Sequence, residues 1–268
     1  MTLVNVDDDA DLERRFGALR RLYGDVGYSR LRVATVAVVG LGGVGSWAAE
    51  ALARSGVAGL VLIDLDHVAE SNINRQVQAV GATLGQSKAQ ALRDRINDIH
   101  PACSVHCVEE FVAPDNWPGL LPVPVHALID ACDQVRAKQA LAAWSLASGR
   151  PVVCVGAAGG KRAAQQVQIA DLAEVTHDPL LASLRQRLRK ENGAARSGRM
   201  GLTCVFSREA VAPPAPESNI QDVDDVGDGS LNCRGYGSSV AVTATFGFCA
   251  AGAAIELLIA APARLNEP

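Results

Sequence analysis

Residues 32–64 read RVATVAVVGLGGVGSWAAEALARSGVAGLVLID. Arg32–Gly40 is a Val-rich apolar run, the pattern of a strand buried on both faces of a parallel sheet. From Gly42 to Arg54 the spacing turns helical, and Ser55-Gly56 supplies a stop. Val57–Asp64 is the next strand. Strand, glycine turn, helix and strand within about 30 residues make one βαβ unit. The turn carries Gly40, Gly42, Gly43 and Gly45, which permit a tight bend and close approach of a phosphate to a helix N-terminus. Asp64 lies 24 residues beyond Gly40, at a strand end, where it can bind ribose hydroxyls. So far the pattern fits an NAD-dependent dehydrogenase.

The flanking sequence extends the same architecture. Helices are predicted at Leu84–Ile99 and Ala137–Ala147. Strands are predicted at Ser104–Val112, Val125–Asp130 and Pro151–Val155. Together they build a doubly wound, Rossmann-like α/β sheet. Beyond Gly156 the pattern changes: Gln165–Ala170 and Leu202–Phe206 read as short strands, with Leu180, Leu184 and Leu188 on one helical face between them. Ser207–Arg234, rich in Pro, Asp and Gly, reads as a long mobile loop. No repeat and no clean linker divides the 268 residues, so a single domain over 1–268 is expected.

Composition narrows the class. The chain is 49% hydrophobic with a formal net charge of -4, which excludes global disorder and a uniformly basic nucleic-acid binder. The N-terminal stretch has no basic start and apolar core of a secretory signal, so a cytoplasmic protein is expected. Seven Cys sit mostly in apolar strings and form no C-x-x-C pair, so reduced buried thiols are expected and zinc is not. Val240–Ala261 is a 22-residue segment with Glu256 as its one charge. Its length would allow a membrane span, but its Ala, Gly and Thr content and its carboxylate favour a buried helix over membrane association.

The residues after Asp64 separate hydride transfer from nucleotide cleavage. Asp66, then Asn72, Asn74, Arg75 and Gln76, then Lys88 at a helix start follow in order. A dehydrogenase has no need of Arg and Lys converging past the ribose acid. A site that cleaves a nucleoside triphosphate does, because charge accumulates on the departing phosphates. Asp130-Ala-Cys-Asp133 closes a further strand, where a carboxylate can hold Mg2+ on phosphates.

GLGGVGSWAAEALARSG at 40–56, Asp64 with Asp66, SNINRQ at 71–76, GQSK at 85–88 and DACDQVR at 130–136 resemble the adenylyltransferase family of ubiquitin-activating enzymes. The bacterial thiamine- and molybdopterin-biosynthesis adenylyltransferases share it. The resemblance implies that the glycine turn and Asp64 bind ATP, that Arg75 and Lys88 stabilise the phosphates, and that Asp133 ligates Mg2+. The resemblance leaves room for a monovalent cation as a further accessory. It also implies a homodimer in which an N-terminal arginine reaches the partner's ATP. Arg15 and Arg21 are the candidates, and Arg21 is favoured. The chain then divides into a nucleotide-binding half, about 14–156, and a substrate-facing, dimer-supporting half, 157–268.

DPLLASLRQRLR at 178–189, TCVFSREA at 203–210 and SSVAVTATFGF at 238–248 are similar to one branch of that family. Its members use ATP to cyclise the threonylcarbamoyl group on a tRNA adenosine, and the resemblance runs from Arg14 to about Ala260. It implies tRNA as substrate, and a cysteine desulfurase with its sulfur-acceptor protein as partners. The segment 185–208 holds seven basic side chains against one acid. Arg185, Arg187, Arg189, Lys190, Arg196, Arg199 and Arg208 are therefore candidate tRNA contacts, with Lys161 and Arg162 weaker members of the same surface. Because the attacking nitrogen belongs to the substrate, Cys204 and Cys233 are expected to be structural rather than thioester-forming. Two rivals stand beside this reading: an enzyme adenylating the C-terminal glycine of a ubiquitin-like sulfur carrier, and a non-catalytic sulfur-relay scaffold. Many members of the wider family carry two C-x-x-C pairs holding zinc; their absence here and the basic run count against the first. The intact Arg75, Lys88 and Asp133 count against the second.

Overall fold

In the computed structural model, which describes residues 11–212 and 236–261, the first apolar run forms strand β1 at Thr35–Val39. Val36 and Val38 face one core, Ala37 and Val39 the other. A strand without a polar face must lie inside a sheet covered on both sides. β1 pairs in parallel with β2 (Gly59–Ile63) and with β4 (Ala127–Asp130). Strands β3 (Ser104–Val108), β5 (Val152–Val155), β6 (Val167–Asp171) and β7 (Thr203–Ser207) complete a seven-stranded sheet ordered β3-β2-β1-β4-β5-β7-β6. All its pairings are parallel except that of β6, which runs antiparallel to β7 at an edge. The chain reverses its direction across the sheet between β1 and β4. That reversal leaves a crevice at the C-terminal strand ends.

Helices α1 (Leu12–Phe16) and α2 (Ala18–Leu31) precede the sheet; α3 (Gly45–Arg54), α4 (Lys88–Ile99), α5 (Val135–Ser148), α6 (Pro179–Glu191) and α7 (Val240–Ala260) follow in chain order. Residues of α3, α4 and α7 close one core, and those of α5, α6 and the 112–125 segment close the other. Several boundaries differ from the sequence pattern. β3 stops at Val108 rather than Val112, because its neighbour β2 ends at Ile63 and the ladder closes with Asp64 N–H donating to Val108 O. α4 begins at Lys88 rather than Leu84, because Gly85 takes φ +79° and Leu84 is exposed. Ser207 is the last residue of β7 rather than the start of a loop, and 213–234 lie outside the described residues.

The apolar segment forms α7 over Val240–Ala260, one residue short of its predicted end at Ala261, and Phe246, Ala250 and Ala254 are fully buried. It is the one helix among the described residues long and apolar enough to cross a membrane, and most of its apolar window is buried in the protein. Small residues explain the packing. A Cβ on Gly247 would sit 2.6 Å from Val44 O and 2.8 Å from Trp47 Cβ, so α7 lies directly on the start of α3.

Candidate active site

The glycine turn is built by two kinds of glycine. Gly40 leaves β1 at φ +83°, and a Cβ there would stand 2.9 Å from Cys132 N, so β4's exit loop occupies the space. At Gly45 a Cβ would fall 1.8 Å from Gly40 O. These two let the turn fold on itself. Gly42 has nothing within 4 Å of its Cβ position, so its side is open to a ligand. α3 starts at Gly45 with no side-chain cap on its N-terminal N–H groups, an anion-binding terminus of the kind that holds phosphates.

Asp64, 7% exposed, turns back onto this loop. Its Oδ2 accepts Leu41 N–H at 2.6 Å and its Oδ1 accepts Asp66 N–H at 2.9 Å. Burial raises its pKa, with Lys88 and the two backbone donors acting in the opposite direction. Lys88, buried at the first position of α4, places Nζ 2.6 Å from Asp66 Oδ2. One acid thus shapes the turn, and the next holds the lysine.

The 69–78 loop brings the remaining predicted groups. Arg75 Cγ is 3.3 Å from the Cβ position of Gly43, so the arginine stem lies against the glycine turn. Its guanidinium donates to Ser71 O at 2.6 Å and Asn74 Oδ1 at 2.9 Å. Its carbonyl accepts Trp47 Nε1–H from α3 (2.9 Å) and the Thr243 hydroxyl from α7 (3.4 Å). Asn72 is buried and accepts Ala69 N–H, so it stabilises the loop. Asn74 Nδ2 donates to Ser238 O at 3.1 Å. Gln76 is buried against Gln78, whose amide donates to Gln76 Oε1 and to Leu41 O. Sequence reading missed Trp47, Gln78 and Thr243. The nearest available signal was a polar pair, Gln76 and Gln78, in alternation within an apolar stretch.

At the end of β4, Ala131 N–H donates to Val39 O at 2.9 Å, which seats the Asp130–Asp133 turn against Gly40. Asp133 is half-buried at the same sheet edge as Asp64 and the glycine turn. Among the described residues no group of three His, Cys, Asp or Glu gathers as a metal cage. One carboxylate suits Mg2+ that is otherwise held by phosphates and water, so the donor chemistry fits a nucleotide-borne ion.

The outlying candidates separate. Arg15 donates to Asp98 O and Ile99 O at the end of α4, whereas Arg21 is exposed on α2. Arg185 is half-buried and donates to Leu172 O and Val175 O. Arg189 donates to Ala195 O, and Arg187 is half-buried. Lys190 and Arg196 are exposed, and Arg199 stands 3.7 Å from Asp171 with 80% of its side chain exposed. Lys161 is buried and donates to Ser207 O and Glu209 O, while Arg162 is exposed. Cys204 is fully buried in β7, and Cys233 lies outside the described residues.

The model of the ThiF family matches residues 15–266. The chain is 41% identical over 256 residues to the tRNA threonylcarbamoyladenosine dehydratase of Escherichia coli (strain K12), covering 94% of this chain and 96% of that protein. It is 38% identical over 250 residues to the protein of that name from Haemophilus influenzae, covering 92% and 94%. The solved structure of the Escherichia coli dehydratase in complex with ATP superposes with a TM-score of 0.82 at 40% identity, over 94% of this chain and 96% of that one. An adenylyltransferase and sulfurtransferase of Drosophila sechellia is 31% identical, over 49% of this chain and 29% of that protein.

Proposed function

The chain belongs to the ThiF family, and on that premise we propose that it is an ATP-dependent dehydratase that cyclises threonylcarbamoyladenosine in tRNA. The observation that carries this reading is the end-to-end likeness to dehydratases, one of them solved with ATP, on a chain that carries Arg75, Lys88 and Asp133. Carrier-protein adenylation is the weaker alternative, since the adenylyltransferase–sulfurtransferase likeness covers half the chain.

The chemistry follows from the residues. ATP lies across the open side of Gly42 with its phosphates at the N-terminus of α3, and Asp64 orients the ribose end. The threonyl carboxylate attacks the α-phosphorus, and the bond to the pyrophosphate oxygen breaks. Arg75 and Lys88 offset the charge on the departing pyrophosphate. Asp133 would hold Mg2+, which supplies further positive charge on the phosphates. A carbamoyl nitrogen of the same modified base then attacks the acyl carbon, AMP leaves with its oxygen, and the nitrogen's proton passes to solvent. The sum is loss of one water from the substrate against hydrolysis of ATP to AMP and pyrophosphate. Because the nucleophile is intramolecular, effective molarity is high and no enzyme thiol is needed. The full burial of Cys204 supports that economy.

The active unit is a cytoplasmic homodimer of one-domain chains in which Arg21 completes the partner's ATP site. Exposed Arg21 supports that choice, since Arg15 is already engaged with α4. Lys190, Arg196 and Arg199 contact phosphates of the tRNA. A cysteine desulfurase and its sulfur acceptor as partners, and an accessory monovalent cation, rest on the family resemblance. The test is direct. The protein is incubated with ATP, Mg2+ and tRNA bearing threonylcarbamoyladenosine, the tRNA is digested, and the nucleosides are weighed. Loss of one water from the modified nucleoside is expected. An unchanged mass would overturn the reading, and pyrophosphate release triggered by a glycine-tailed carrier protein would favour the alternative.

A further inference from the structure

Asp130 and Lys138 take no part in the chemistry above, yet their side chains are fully buried and paired, with Lys138 Nζ 2.9 Å from Asp130 Oδ1. Nζ, from α5, also donates to the Asp130 carbonyl at 3.2 Å. The same Oδ1 accepts the Cys132 N–H at 3.3 Å and the Cys132 thiol at 2.9 Å. Burial by itself lowers the Lys138 pKa, but the adjacent Asp130 carboxylate overrides it and the net shift is upward, so the ammonium holds its proton against burial. Burial strips both charges of hydration, and an apolar pair of similar volume often holds a fold equally well. The explanation has to lie in what the pair positions.

It positions a turn. Lys138 grips both the carboxylate and the carbonyl of Asp130, and Asp130 in turn grips residue 132. That backbone is the wall of the nucleotide loop: Cys132 N is the atom nearest a Cβ on Gly40, and Ala131 Cβ lies 3.3 Å from one on Gly45. One residue on stands Asp133. Any slack at Asp130 therefore moves the Asp133 carboxylate relative to the glycine turn that holds the phosphates.

We infer that Lys138 is a positioning residue which, through Asp130, fixes the 130–133 turn so that Asp133 meets the metal-bound triphosphate, and so sets the affinity for metal–ATP without affecting AMP. The inference rests on the assignment of Asp133 to the metal. Wild type, Asp133→Asn, Lys138→Met and the double variant Asp130→Asn/Lys138→Met are compared by melting, by calorimetry with AMP and with Mn2+–ATP, and by the electron-spin resonance of bound Mn2+. Lys138→Met alone strands a buried carboxylate and is expected to lose stability. The double variant removes both charges and is expected to melt near wild type. It should bind AMP within about twofold of wild type but Mn2+–ATP about tenfold more weakly, the scale of losing a ligand's supporting partner. Adding Asp133→Asn to it should cause little further loss, because both act through one carboxylate.

A folded double variant with wild-type Mn2+–ATP affinity, alongside a weakened Asp133→Asn, overturns the inference and leaves the metal assignment standing. An Asp133→Asn protein with unchanged Mn2+–ATP affinity removes the metal assignment, and the inference with it. A double variant that fails to fold assigns the pair to stability and also overturns it.

Discussion

His100 closes α4 with its ring fully buried, 4.7 Å from the Phe16 ring, and its Nε2 2.9 Å from an Arg32 guanidinium nitrogen. Arg32 can only donate, so Nε2 accepts and the proton resides on Nδ1. Burial, with Arg32 and Arg15 nearby, pushes the pKa down to about 4. The folded protein therefore binds this proton less readily than the unfolded chain, whose histidine titrates near 6.5. The resulting stability is fully present above pH 6.5 and is lost as pH falls toward 4. Between those limits the melting temperature of wild type should fall more steeply than that of His100→Gln, which keeps an acceptor for Arg32 and cannot titrate. Parallel pH profiles would remove His100 from the acid response. The catalytic candidates show the same dependence on neighbours. Lys88 and Arg75 were legible from order and charge, but Asp66 as holder of Lys88, and Trp47 and Thr243 as anchors of the Arg75 backbone, were not. Their partners are remote in sequence, and no local pattern records such a pairing.

Among elements, the turn between β1 and α3 separates folding from binding within four glycines. At Gly45 an added Cβ meets backbone at 1.8 Å. Gly45→Ala should therefore destabilise the protein by on the order of 3 kcal/mol, visible as a lower denaturation midpoint. Gly42 meets nothing within 4 Å, so Gly42→Ala should melt like wild type while its ATP affinity drops roughly tenfold, about 1.4 kcal/mol. Equal effects at both positions would break the distinction. α7 was legible as a buried helix, because its apolar run lacks the composition of a membrane segment. Its role over the site was not. Thr243 and Gly247 touch Gly43, Val44 and Trp47 only because the last helix returns to the first crossover.

For the whole molecule, a net charge of -4 coexists with the basic stretch 185–208. The structure sorts that stretch. Arg185 and Arg189 hold backbone carbonyls, while Lys190 and Arg196 project into solvent. Reversal of the latter pair, Lys190→Glu/Arg196→Glu, should weaken tRNA binding at low salt. It should also flatten the slope of log affinity against log salt by about 1.5, as two phosphate contacts are lost. An unchanged slope would take the segment off the tRNA surface.

The sequence by itself determined the α/β class, the glycine turn between the first strand and its helix, and the order of the charged groups at the strand ends. These depend on residue type and on periods of two or 3.6, and both are local. Only the tertiary structure decided which arginines are spent on carbonyls, which glycine faces open space, and that Asp130 looks inward to Lys138 while Asp133 lies at the sheet edge. Those outcomes are set by contacts between segments distant along the chain, where burial and hydrogen-bond satisfaction leave few arrangements open.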